Sequence, residues 1–124
     1  MTPEHALMNS ISIWCGEHDY LCFRINVGLF YTERKATGTD EDWIQIGTGL
    51  RKCYQQISTG VPKGFSDLFI LKDNGHVCFV ETKVHPRKAT DEQVRFIEAV
   101  RKRGFRAGVA YTLEEAIEII DGSK

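Results

Sequence analysis

The sequence predicts a single α/β domain. Three observations point there: apolar residues recur at helical spacing near both ends, a strand pair alternating in character flanks an Asn-Gly turn, and a capped helix follows that pair. At 124 residues and 42% hydrophobic, the chain can bury one core and is too short to expect two, so residues 1–124 are expected to form one domain.

Thr2-Pro3 has the form of a helix N-cap followed by proline at the first helical position. Leu7, Ile11 and Trp14, flanked by Met8 and Cys15, then mark a first helix ending before Asp19. Residues 21–27 (LCFRINV) alternate as a strand would, and Gly28 closes them. From 31 to 64 the turn signals TGTDED, GTG, STG and VPKG surround two short apolar pieces, DWIQIG and LRKCYQQI, which predict short strands or loops.

Ser66–Leu71 and His76–Val84 are the clearest strands, joined by Lys72-Asp73-Asn74-Gly75, where Asn-Gly tolerates the positive φ of a tight hairpin. Thr90-Asp91-Glu92-Gln93 reads as a capping box, and Phe96, Ile97 and Val100 give the following helix an apolar face as far as Gly104. Residues 107–111 (AGVAY) form a short buried strand. A last helix opens at Thr112 with Leu113, Ala116, Ile117 and Ile120 inward, before Gly122. The order is α-β-β-β-α-β-α, with no repeat and no low-complexity segment.

No apolar run approaches the roughly 18 residues that a membrane span needs, and MTPEHALMNSIS lacks the basic and apolar regions of a signal peptide. A soluble cytoplasmic protein is expected. Cys15, Cys22, Cys53 and Cys78 include no CxxC pair, so buried free thiols are expected rather than zinc ligands or a disulfide framework. The net charge of -1 excludes a chain that coats nucleic acid by bulk attraction, but residues 83–106 carry eight Lys/Arg against three acids. One face could therefore meet a polyanion, although a basic helix surface is also simply a solvated one.

The charges in the hairpin are harder to explain by solvation. Val77, Phe79, Glu81 and Lys83 share a strand face, so an apolar face turns ionic at its end. Asp67 and Glu81 lie seven positions on either side of Asn74, and a hairpin centred there brings them together. Close carboxylates repel and raise each other's pKa, which a divalent cation or a lysine relieves. Two carboxylates with a backbone carbonyl, here that of Thr82, suit Mg²⁺ or Mn²⁺ better than zinc. Such an ion polarises a phosphoryl oxygen while Lys83 holds water or balances charge, which is the chemistry of phosphodiester hydrolysis. The competing reading is an ordinary ion-pair cluster at the exposed end of a sheet.

Aspartate, some fourteen residues, then E-x-K across a hairpin resembles the PD-(D/E)XK nuclease superfamily. FRINVG (23–28), TGVPKGFSDLF (59–69), GHVCFVETK (75–83), DEQVRFIEAVRKRG (91–104) and AGVAYTLEEAIEII (107–120) resemble successive signatures of its VRR-NUC domains, the virus-type replication-repair nucleases. The likeness spans the chain except roughly Tyr31 to Ile57, as in a stand-alone phage or bacterial type.

The resemblance implies a restriction-endonuclease-like core, a central mixed sheet flanked by helices, and Mg²⁺- or Mn²⁺-dependent cleavage of DNA with Asp67, Glu81 and Lys83 catalytic. Ser66 replaces the leading proline of the superfamily motif, a position that carries no ligand atom. The family's helix-one glutamate and its glutamine after the E-x-K strand fall on Glu4 and Gln93. Glu4 also suits the helix dipole, and Gln93 also has its capping role.

Arg24, Asn26, Lys63, Arg87, Lys88 and Arg95 are candidate phosphate contacts, each equally readable as solvated surface. His85 reads as a surface histidine. The expected activity is that of a structure-selective endonuclease of DNA repair, recombination or replication, resolving Holliday junctions as a homodimer, since one small protomer offers little grip on a duplex. The alternatives are a flap or nicking nuclease without junction preference, and a non-catalytic nucleic-acid-binding module on the same fold.

Overall fold

The computed structural model describes residues 1–25, 29–33, 43–46, 50–58, 61 and 63–123. It divides into two compact units. The first comprises Met1–Asn26 and Pro62–Lys124, and the second Val27–Val61.

In the first unit, helix α1 spans Pro3–Glu17, with the Thr2 side chain accepting from the His5 N–H and proline in the first turn. Met8, Ile11 and Cys15 are its buried stripe. Strand β1 follows at Leu21–Arg24, and the last part of the expected strand, Asn26 and Val27, lies outside the described residues. The second unit holds β2 (Leu29–Glu33), β3 (Trp43–Ile46) and β4 (Leu50–Ser58), an antiparallel sheet in the order β2-β4-β3. The stretch expected to hold short strands or loops thus contains a three-stranded sheet whose central strand is nine residues long. Turn-rich text hides it because strands this closely punctuated leave little alternation to read.

The chain re-enters the first unit to form β5 (Leu68–Leu71) and β6 (Val77–Thr82), antiparallel with Leu71 opposite Val77 and Leu68 opposite Val80. Their turn uses positive φ at Asn74 (59°) and Gly75 (77°), the conformation that Asn-Gly supplies at low cost. Helix α2 (Asp91–Lys102) carries the full capping box, with reciprocal bonds between Thr90 and Gln93. Strand β7 (Arg106–Ala110) lies parallel to β6, and α3 (Leu113–Asp121) closes the chain behind the Thr112 cap.

The resulting sheet runs β1-β5-β6-β7, mixed in direction because β7 returns through a helical crossover. Alternation gives it two different faces. Leu68, Ile70, Cys78 and Val80 turn toward α1 and α3, joining Met8, Ile11, Ala116 and Ile120 in one core. Phe79 and Ala107 turn toward α2, where Ile97, Phe65, Phe69 and Phe96 complete an aromatic second core. Phe79 meets Phe65 and Phe96 edge to face at centroid distances of 5.8 and 5.4 Å, the geometry that aromatic quadrupoles favour. Cys15 and Cys78 are buried free thiols and Cys22 is a half-buried one, whereas the side chain of Cys53 lies outside the described residues. Among the described residues no helix is long and apolar enough to cross a membrane.

Candidate active site

Where the β5–β6 ladder ends, its register still operates. With Leu68 opposite Val80, one further step sets Asp67 against Glu81. One hydrogen bond ties the two directly, the Asp67 N–H donating to Glu81 Oε2 at 3.1 Å, and the next residue of β6 holds Asp67 in return, the Thr82 N–H donating to Asp67 Oδ2 at 3.1 Å. The Thr82 hydroxyl adds a shorter bond to the same oxygen, at 2.8 Å. Sequence spacing thus brought together the two carboxylates it singled out.

Glu81 is 2% exposed, and its carboxyl is accordingly hard to ionise. Burial pushes it up to about 8, the Asp67 carboxylate pushes in the same direction, and the Lys83 ammonium pulls against both. Lys83 stands 3.7 Å from Glu81 Oε1, near enough for charge compensation and beyond ordinary hydrogen-bond reach. Its donors are therefore not consumed by the carboxylate.

Helix α2 reaches the cluster through Gln93. The side-chain carbonyl accepts from the Thr90 N–H at 2.8 Å while the amide nitrogen donates to Glu81 Oε1, also at 2.8 Å. One amide therefore serves as cap and as clamp. The two readings of Gln93 offered by the sequence are not alternatives, because its two ends do different things.

Glu4, in the first turn of α1, lies on the other side of the sheet end, with Oε1 3.4 Å from the Thr82 hydroxyl. That hydroxyl has one proton, and the 2.8 Å bond to Asp67 is the better use of it. Glu4 is thus at the cluster but is its most loosely held member.

The basic candidates are all exposed and distributed around this end. Arg24 closes β1 just before Ile25, whose N–H donates to the Asp67 carbonyl at 2.8 Å. Lys63 precedes Gly64, which packs against the first turn of α2. Arg87 and Lys88 lie between β6 and α2, with the Arg87 carbonyl held by the Tyr111 hydroxyl at 2.8 Å. Arg95 follows Gln93 on α2. Asn26 lies outside the described residues.

Three features were not anticipated. The Thr82 side chain, considered only for its carbonyl, organises Asp67; the signal was a hydroxyl ending the apolar face of Cys78 and Val80. Ser66 is 1% exposed and its hydroxyl has no hydrogen-bond partner among the described residues, beside the very aspartate in question. His85 is exposed as expected, but its ring stacks on Tyr111 at 4.1 Å, bracing the segment that bears Arg87.

Among the described residues no group of three or more His, Cys, Asp or Glu side chains is placed to hold an ion. A cation here would depend on two carboxylates and uncharged oxygens. The donor set fits a hard ion: Asp67 Oδ2 is occupied by Thr82, Oδ1 accepts no hydrogen bond among the described residues, and Glu81 is a buried carboxyl short of positive charge.

Comparison with known proteins gives two matches and one absence. The family model for the VRR-NUC domain matches residues 2–113. A solved structure described as a VRR_NUC domain is similar over 100% of both chains, at 18% identity and a TM-score of 0.64, which shows a common fold. No curated protein matches the chain.

Proposed function

The chain belongs to the VRR-NUC family, whose function is of nuclease type with DNA as substrate, and from that premise we propose a metal-dependent, structure-selective DNA endonuclease. The observation that carries the proposal is the juxtaposition of Asp67 with Glu81 at the mouth of the β5–β6 hairpin, with Thr82 holding Asp67, Lys83 alongside and Gln93 clamping Glu81. An inert ion-pair cluster has no use for two opposed carboxylates when, among the described residues, one lysine lies within reach.

In this reading Asp67, Glu81 and the Thr82 carbonyl would hold Mg²⁺ or Mn²⁺, and the chemistry such an ion would supply when bound is Lewis-acid polarisation of the phosphate and activation of water. The chain's own groups do the rest. Thr82 fixes the Asp67 carboxylate through two donors, leaving its other oxygen for binding. Gln93 holds Glu81 Oε1 from the first turn of α2. The Lys83 ammonium, not consumed by Glu81, orients the attacking water and offsets the charge that grows on the phosphoryl oxygens. Glu4 contributes negative charge from the α1 side. Arg24, Lys63, Arg87, Lys88 and Arg95 meet the phosphates that flank the cut.

A homodimer would present two such clusters to the two strands of a four-way junction, as a Holliday-junction resolvase in repair, recombination or replication requires. The substrate panel that tests this holds a four-way junction, a flap, a duplex and a single strand, each with Mg²⁺, Mn²⁺ or EDTA. Paired cuts at the junction that need metal are expected, and Lys83→Ala should slow them on the order of a hundredfold or more while leaving folding intact. Wild-type activity in that variant, or in EDTA, would sink the mechanism; equal cutting of all branched forms would remove only the junction preference.

A further inference from the structure

Away from the catalytic cluster, the far end of α2 turns through Gly104, at a φ of 91°, into Phe105. The Phe105 N–H returns to the Val100 carbonyl at 3.1 Å, which fixes the turn and leaves the ring 41% exposed. Solvation does not explain a phenylalanine at that level of exposure with concave surface on both sides. A cavity of about 490 Å³ is lined by Phe105 with Arg101, Arg106 and Glu118, and one of about 260 Å³ by Phe105 with Lys72, His76 and Arg106. The ring is held edge-on to Phe79, with centroids 6.1 Å apart and planes at 87°.

The charges beside the ring are fixed in place. Arg101 Nε donates to the Ala107 carbonyl at 2.7 Å; Arg106 donates from Nε to the Ile119 carbonyl at 2.6 Å and from Nη2 to the carbonyls of Glu118 and Gly122 at 3.1 and 2.6 Å. These partners are neutral backbone carbonyls, and the bonds leave the remaining N–H groups of both guanidinium groups already oriented. Lys72 differs, being paired with Asp121 at 2.6 Å, and adds little attraction.

A pinned aromatic face between concavities, with preoriented arginines around it, matches the requirements of a nucleotide base and its phosphate. The Glu118 carboxylate in the larger cavity opposes a phosphate there and suits the amino edge of a base. We propose that Phe105, Arg101 and Arg106 form a binding site for an unpaired nucleotide of the substrate strand. The choice of ligand rests on the DNA-cleavage reading. Arg106 lies opposite Cys78, three residues before Glu81 on β6, so the site is on the order of 10 Å along the sheet from the cluster. A short run of displaced strand spans that interval.

The test is fluorescence anisotropy of a labelled oligothymidylate with the full chain in EDTA, where cleavage does not interfere. Phe105→Ala should weaken binding about tenfold and Phe105→Trp should retain it. Phe23→Ala, at a comparably exposed phenylalanine on β1, should bind as wild type. Because Phe105→Ala could disturb the Phe79 packing, ultraviolet crosslinking of the wild-type complex supplies a second reading, expected on the peptide containing Phe105. Unchanged affinity in Phe105→Ala, or crosslinks confined to other peptides, overturns the proposal. Phe105-dependent binding by a chain that cleaves no DNA would sink the active-site reading and leave this one standing, whereas cleavage without such binding does the reverse.

Discussion

Glu81 sets burial against charge, and the conflict has a measurable consequence. Its carboxyl is pushed from the usual 4.5 up to about 8 in the folded chain, so the folded state binds the proton more tightly than the unfolded one. Stability is then fully present below about pH 4.5 and is lost as pH rises through about 8, by an amount on the order of a few kcal/mol. Melts in EDTA should show the wild type falling over that window more steeply than Glu81→Gln; parallel curves would mean that Glu81 titrates normally. Ser66 poses a smaller conflict. A buried hydroxyl costs about 1 kcal/mol or more when unpartnered, as that of Ser66 is among the described residues, so Ser66→Ala should raise stability by that order, read as an upward shift in urea midpoint. A loss instead would show that the hydroxyl is engaged when the site is occupied or hydrated. Asp67 and Glu81 could be recognised from sequence because an Asn-Gly turn gives a hairpin its centre, and equal spacing from that centre sets the pairing. Ser66 could not, since the cost of an unpaired hydroxyl depends on neighbours brought in from elsewhere in the chain.

Helix α2 connects the scale of side chains to that of the fold, because its first turn both caps itself and clamps the cluster. The approach of Gly64 sets where that turn sits: a Cβ there would lie 2.6 Å from the Glu92 carbonyl oxygen, and φ is 98°. Gly64→Ala must therefore either strain the loop or displace α2, and the displacement moves Gln93 away from Glu81. We expect a loss of about 1 kcal/mol or more in stability, and a fall in cleavage rate larger than that of a surface variant such as Lys102→Ala. Normal stability with normal cleavage would show that the loop has slack. Such dependence explains which elements could be read in advance. The three helices announce themselves through Thr2, Thr90 and Thr112, each bonding the N–H three residues on, a local event within one turn. Strand β7 is displaced by one residue from its expected start, because strand ends are set by partners distant in sequence. Strand β2 finds β4 across β3, which intervenes in sequence, and although β3 and β4 form a local hairpin with Ile46 opposite Leu50, the turn residues around them do not reveal the register.

For the molecule as a whole, membership of a nuclease family leaves open whether this chain uses an ion, and linkage can decide it without a substrate. All the proposed metal ligands belong to the unit made of Met1–Asn26 and Pro62–Lys124, so binding must stabilise that unit's fold. An ion at a hundred times its Kd adds about 2.7 kcal/mol, which for a domain of this size raises Tm by several degrees. The protonation of Glu81 makes the effect depend on pH in a particular direction. With its carboxyl at about 8, much of the free protein carries a proton there at neutral pH, and an ion can bind only as that proton leaves. Mg²⁺ or Mn²⁺ should therefore shift Tm more near pH 8.5 than near pH 6.5, and binding heats near neutrality should vary with the ionisation enthalpy of the buffer in proportion to the proton released. Asp67→Ala should abolish both effects. A Tm shift surviving in Asp67→Ala would locate the ion elsewhere, and a buffer-independent heat would mean that Glu81 is already ionised when the ion arrives.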